Sequence, residues 1–143
     1  MFSKIMVPVD GSEHSKKALD YAIKLGKMFS SEIVLIHVVQ QPIFPFSEMT
    51  TSTFIDKVIE GLMENARRII NAAKDTVKRE GLRVVDIIKV GQPAEVIISE
   101  AEKLNVNLIV IGSKGVSKVK RFLLGSISDA VVHHAKCPVL IVK

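Results

Sequence analysis

Residues 108–128 read LIVIGSKGVSKVKRFLLGSIS. The run begins as a short apolar, β-branched segment and stops at Gly112-Ser113. A second glycine follows at 115, and no further glycine comes until Gly125-Ser126. Between them stand the cations Lys114, Lys118, Lys120 and Arg121. A strand that leaves on a glycine pair and delays its next helix this long marks a strand–loop–helix unit with a specialised loop. Glycines at 112 and 115 let backbone amides approach an anion closely, because no Cβ intervenes. Gly125, Ser126 and Ile127 lie near the first turn of the following helix, where free amides and the positive dipole end favour phosphate. Ser113, Ser126 and Ser128 add hydroxyl donors. The same composition also suits a solvated surface loop, since Gly and Ser dominate turns.

The flanking sequence repeats the strand-then-helix pattern. Residues 4–9 form a compact β-branched run closed by Asp10-Gly11-Ser12, and Ala18, Leu19, Ala22, Ile23 and Leu25 then recur at helical spacing with Ser12 as the N-cap. Residues 32–39 are continuously apolar, as in a strand buried on both faces. A long amphipathic helix is expected over 55–77, stopped by Glu80-Gly81. Residues 83–90 give a third strand, and Pro93 opens a helix running to about 104. The strand at 108–112, a helix over 122–135 and a last strand at 138–143 complete the chain. This alternation predicts one doubly wound α/β domain, Rossmann-like, over residues 1–143. Its five-stranded parallel sheet has helices on both faces and the order 3-2-1-4-5. In such a sheet ligands collect where the winding reverses, between the first and fourth strands. The loops there are the one after Val9 and the one after Ile111.

The 143 residues carry 48% hydrophobic content and a net charge of +5. One cysteine fits a reducing cytoplasm, and the polar, proline-interrupted start is unlike a signal peptide. No stretch reaches the length of a membrane span. With one Tyr and no Trp there is little for bases to stack on, so specific nucleic-acid binding is not expected. No G-x-x-x-x-G-K-[ST] occurs. The first turn, DGSEHS, lacks G-x-G-x-x-G, and the second strand ends without a ribose-binding acid. The third strand ends Lys89-Val90-Gly91, where a phosphoacceptor receiver would place an aspartate.

Gly112, Gly115, Gly125 and Ser126 satisfy G-x2-G-x9-G-[ST], and with them the chain resembles the ATP-binding branch of the universal stress protein family. The resemblance runs nearly end to end, through KIMVPVDGSEHSKKAL, VLIHVV, VGQPAEVI, LIVIGSKG, RFLLGSIS and CPVLIVK. Lys114 stands where that family often has histidine or arginine. The resemblance implies ATP as ligand, with Asp10 near the ribose or phosphates and backbone groups of Val38 on the adenine edge. Pro8, Val9 and Ile111 would line the base and sugar pocket. Gly112, Gly115, Gly125, Ser126 and Ile127 would hold the phosphates, with Mg²⁺ or Mn²⁺ on the phosphate oxygens. It further implies a homodimer joined through the last strand. Asp10 alone is equally an acid helping to cap the first helix.

Other residues carry weaker signals. His133-His134 has no acidic or cysteine partner at metal-ligand spacing and reads as a surface pair. His37 reads as a satisfied core histidine, His14 as a first-turn residue within reach of the site, and Cys137 as a small buried residue starting a strand. The connection at 40–53, with Phe44 and Phe46 between prolines, is long enough to suggest a cover or contact segment. The expected function is that of an ATP-binding, nucleotide-responsive stress regulator. The alternatives are a slow ATPase or nucleotidyl-transfer enzyme in the same pocket and an α/β interaction module without nucleotide.

Overall fold

The computed structural model describes residues 1–44, 51–114 and 124–143. Along the chain run β1 (Lys4–Pro8), α1 (Glu13–Phe29), β2 (Glu32–Val39), α2 (Ser52–Arg79), β3 (Val84–Val90), α3 (Pro93–Lys103), β4 (Leu108–Gly112), α4 (Ser126–His134) and β5 (Val139–Val142). The strands form a five-stranded sheet in the order β3-β2-β1-β4-β5, with every pairing parallel. The expected topology is therefore the observed one. Pairing of Ile5 with both Ile33 and Leu108 makes β1 the central strand and sets β2 and β4 on either side of it.

Alternation along each strand sends side chains to two cores. One face carries Ile5, Val7, Ile33, Leu35 and Val110 against Ala18, Leu19 and Ala22 of α1 and Ile70 and Val77 of α2. The other carries Met6, Val34, Ile36, Ile109 and Ile111 against Ile97 and Ala101 of α3 and Val131 of α4. Burying one such branched side chain contributes about 1.5–3 kcal/mol, so the central strands anchor both layers. Right-handed crossovers dictate this division: two connections run leftward from β1 and put α1 and α2 on one face, and the two rightward ones put α3 and α4 on the other.

Element ends depart from expectation for local reasons. The long helix starts at Ser52 rather than 55, because the Thr51 hydroxyl accepts the Phe54 N–H at 3.2 Å and caps it earlier. α4 starts at Ser126 rather than 122: Gly125 is extended (φ −63°, ψ 154°) and acts as its N-cap. Residues 122 and 123 lie outside the described part. β1 stops at Pro8, one residue short of the expected Val9. In α1, Ser12 caps as expected, accepting from the Ser15 N–H.

Candidate functional site

The carboxyl ends of β1, β2 and β4 diverge around a cleft of about 350 Å³. Pro8, Val9 and Asp10 enter it from the end of β1, and Ile36, His37, Val38 and Gln40 from the end of β2. Ile111, Gly112 and Lys114 follow β4, while Gly125, Ser126, Ile127 and Ser128 begin α4. All the site residues expected from the sequence line this one cleft except Gly115, which lies outside the described residues with Lys118, Lys120 and Arg121.

Each wall is held by a definable set of bonds. The Asp10 Oδ1 accepts the Ser12 N–H at 2.9 Å, and Ser15 Oγ donates to the Ser12 carbonyl at 3.0 Å. Asp10 thus supports the helix cap while facing the cleft. Gly11, at φ +83°, supplies the left-handed residue that this turn needs. On the other side, Gly125 N–H donates to the Ser113 carbonyl at 2.7 Å, which ties the start of α4 to the end of β4. The first helical bond of α4 is Asp129 N–H to Gly125 O, at 2.9 Å. The N–H groups of Ser126, Ile127 and Ser128 therefore have no partner within the helix, and among the described residues no side chain caps them. Three donors and a helix dipole face one end of the cleft.

The far end offers a different set of groups. Val9 N–H donates to Ile36 O, so β2 carbonyls and amides at even positions point toward β1. Gly91 N–H donates to Val39 O, so odd positions point toward β3. Val38 therefore aims both its N–H and its C=O past the end of β1, into the cleft. A backbone donor and acceptor stand side by side there.

Some readings change. Ser113 and Ser128 are buried, and their hydroxyls are engaged: Ser128 Oγ donates to the Ser113 and Gly125 carbonyls at 2.9 and 3.0 Å, and Ser113 Oγ pairs with His14 Nδ1 at 3.3 Å. Of the three serines expected to offer hydroxyls, only Ser126 lines the cleft with its hydroxyl uncommitted among the described residues. His14 is tied to Ser113 and is not part of the cleft wall. His37 is satisfied, as expected, by a 2.7 Å contact from Nδ1 to Val9 O, yet it also lines the cleft. His133 does have an acidic neighbour, contrary to expectation: Asp129 lies one turn earlier, 3.6 Å away. Among the described residues no cluster of three or more His, Cys, Asp or Glu could hold a metal ion. Cys137 is half-buried just before β5, and burial pushes its thiol above the usual cysteine range. Phe44 packs edge-on to Phe54 at 6.3 Å, and Phe46 is outside the described residues.

Sequence reading missed Asn65 and Ile69 from α2 and Pro93 and Ile97 from α3. Helical periodicity marks Ile69 and Ile97 as inward-facing but not which part of the interior they reach. Asn65 carried no signal at all.

The open α/β sheet places a ligand-sized cleft at its topological switch point, the end at which doubly wound proteins take their ligands. The comparison with known sequences makes this specific. The universal stress protein family model matches residues 1–143, and the chain belongs to that family. It is 36% identical over 148 residues to universal stress protein YxiE of Bacillus subtilis, with 100% of each chain covered. It is 32% identical to universal stress protein MJ0577 of Methanocaldococcus jannaschii. A solved structure of MJ0577 superposes with a TM-score of 0.86, covering 100% of this chain and 96% of that one. A universal stress protein solved in complex with cAMP superposes with a TM-score of 0.74 at 26% identity, covering 99% and 97% of the two chains.

Gly112 yields a stability prediction. Its backbone is not left-handed, so freedom of φ is not what requires glycine. A Cβ there would stand 2.8 Å from both C and Cβ of His14 and 2.9 Å from its carbonyl oxygen. Most of that obstruction is helix backbone, which cannot rotate away. Gly112→Ala should cost about 1–3 kcal/mol in urea denaturation by forcing α1 from β4. Gly125→Ala, whose nearest contact would be 3.3 Å, should cost visibly less. Equal costs at the two sites would contradict the packing account.

Proposed function

We propose that this protein binds adenine nucleotides, with ATP the principal ligand, in the cleft between β1 and β4, and acts as a nucleotide-responsive regulator. The observation that carries this reading is the pairing of opposite ends. Val38 presents a donor and acceptor suited to a base edge, and the uncapped amides of α4 suit phosphate. Pro8, Val9 and Ile111 give the apolar walls between them. Asp10, with Oδ1 held by Ser12, keeps Oδ2 for a ribose hydroxyl. Gly112, Gly125, Ser126 and Ile127 would cradle the phosphates, with Lys114 adding charge, and Gly115 belongs to the same motif. The cAMP complex of a relative supports an adenine ligand for this fold. Mg²⁺ or Mn²⁺ would ride on the phosphate oxygens, with Asp10 the carboxylate at hand among the described lining residues.

Efficient turnover is not part of the proposal. A γ-phosphate reaction needs a base or a water-positioning group. The Oδ1 of Asp10 is committed to Ser12 and the Nδ1 of His37 to Val9, so a slow ATPase in the same pocket would have to use Asp10 Oδ2 or His37 Nε2. The domain would span residues 1–143 and work in the cytoplasm. No helix among the described residues is long and apolar enough to cross a membrane.

The direct test is mass spectrometry of the supernatant from freshly purified, heat-denatured protein, which should release adenine nucleotide. By calorimetry, Ser126→Ala should weaken ATP binding by the loss of one charge-assisted hydrogen bond, about 1.5–3 kcal/mol. Gly115→Val should also weaken it, by placing a branched Cβ where an amide must approach phosphate. Unchanged affinity in both variants would remove the phosphate assignment. GTP should bind more weakly than ATP, because guanine presents the reverse donor–acceptor pattern to Val38. Equal affinities in a competition titration would count against that geometry.

The quaternary proposal concerns β5, which pairs with β4 and forms one edge of the sheet. A two-fold axis beside it would join two copies antiparallel in a closed, self-complementary interface. Light scattering at micromolar concentration should give the mass of a dimer, and Ile141→Pro should lower it by removing a ladder donor. A strictly monomeric mass for the unmutated protein would refute the interface.

A further inference from the structure

The end of the β1–β2 ladder contains an irregularity with a functional reading. In parallel pairing, a residue that sends its N–H across to its neighbour sends its C=O across as well. Val9 N–H reaches Ile36 O at 2.9 Å, so Val9 C=O also faces β2, where the next donor in a regular ladder is Val38 N–H. That bond is not made. The register ends at Pro8 with Ile36, and the Val9 carbonyl is met instead by His37 Nδ1 at 2.7 Å. A carbonyl only accepts, so Nδ1 carries the hydrogen. The imidazole has taken the acceptor that Val38 would otherwise occupy.

We propose that His37 is a positioning residue for nucleotide recognition: by taking the Val9 carbonyl it ends the ladder one bond early and frees the Val38 amide to read the base. The inference rests on the adenine-binding reading above and adds the residue that makes the base edge available. It also explains why β1 stops at Pro8 although Val9 is buried and apolar. With its carbonyl held by a side chain rather than a strand, Val9 can turn the chain into Asp10 without leaving a buried acceptor unpaired. Base recognition and the placing of Asp10 would then share one hydrogen bond.

The test uses His37→Leu, which removes the donor, and His37→Asn, whose Nδ2 can stand where Nδ1 stands. In the nucleotide-free protein, Val38 amide hydrogen exchange should slow about tenfold in His37→Leu, as Val9 O recaptures that amide. It should stay at the wild-type rate in His37→Asn. ATP and AMP should bind about tenfold more weakly to His37→Leu and normally to His37→Asn, while inorganic tripolyphosphate binds all three alike. Wild-type exchange and wild-type ATP affinity in a folded His37→Leu would overturn the proposal. So would a matching loss of tripolyphosphate affinity, which would signify general damage to the cleft. If the unmutated protein binds no adenine nucleotide, the functional reading fails, and Val38 exchange still decides whether His37 ends the ladder.

Discussion

The first turn of α1 presses against the end of β4 with no room for one carbon atom between them. The His14 backbone occupies the space that a Cβ at residue 112 would need. This contact fixes where the central connection leaves the sheet, and a chain of bonds is built on it. Ser113, next to the glycine, meets the His14 ring through its hydroxyl and Val142 through its N–H. Its carbonyl receives both Gly125 N–H and Ser128 Oγ. The start of α1, the end of β4 and the start of α4 are thereby locked together around one buried residue. The first amides of α4, which have no partner among the described residues, are placed by this knot.

The topology was legible because its signals are periodic and redundant. Continuous apolar runs at 32–39 and 108–112 could only be strands covered on both faces, and helical spacing between them left few alternatives. Boundaries were less legible where one side chain decides them. Thr51 extends α2 backwards by a hydroxyl bond, and the extended backbone of Gly125 delays α4. Gly112, Gly125 and Ser126 of the glycine–serine motif line the cleft, but the packing reason for Gly112 lay in α1, almost a hundred residues away. Sequence assigned it to ligand approach, and packing against a helix requires it as well. Asn65 and Pro93 reach the cleft through the placement of whole helices, which no local pattern encodes.

The walls of the cleft are held by bonds within the fold. Its polar atoms fall into those that hold the protein together and those left facing the opening. Ser15, Ser113 and Ser128 have hydroxyls bonded within the fold, and His37 is bonded to Val9. What remains includes the Val38 edge and the first amides of α4, beside the side chains of Asp10, Gln40, Asn65, Lys114 and Ser126. Backbone groups on rigid elements recognise a ligand with little loss of side-chain entropy.

The two edges of the sheet differ in a way that bears on assembly. An unpaired edge strand invites another strand unless charge, brevity or cover discourages it. β3 carries Asp86 and Lys89, and each meets an opposite charge from a flanking helix: Lys74 at 2.7 Å and Glu100 at 3.8 Å. An incoming strand would have to align beside that charged row. β5 reads VLIV, with no charge within the strand, and Leu140 is more than one-third exposed. Val139 and Ile141 lean on one core and Val142 on the other, so the strand is held rigidly while its outer edge stays free of charged side chains. If the chain pairs through a sheet edge at all, the physical asymmetry selects β5. The cleft opens at the carboxyl ends of β1, β2 and β4, and pairing along β5 would leave Val38 and Asp10 on the far side of β4. The proposed dimer and the proposed nucleotide site would thus use different strands, with the buried β4 between them.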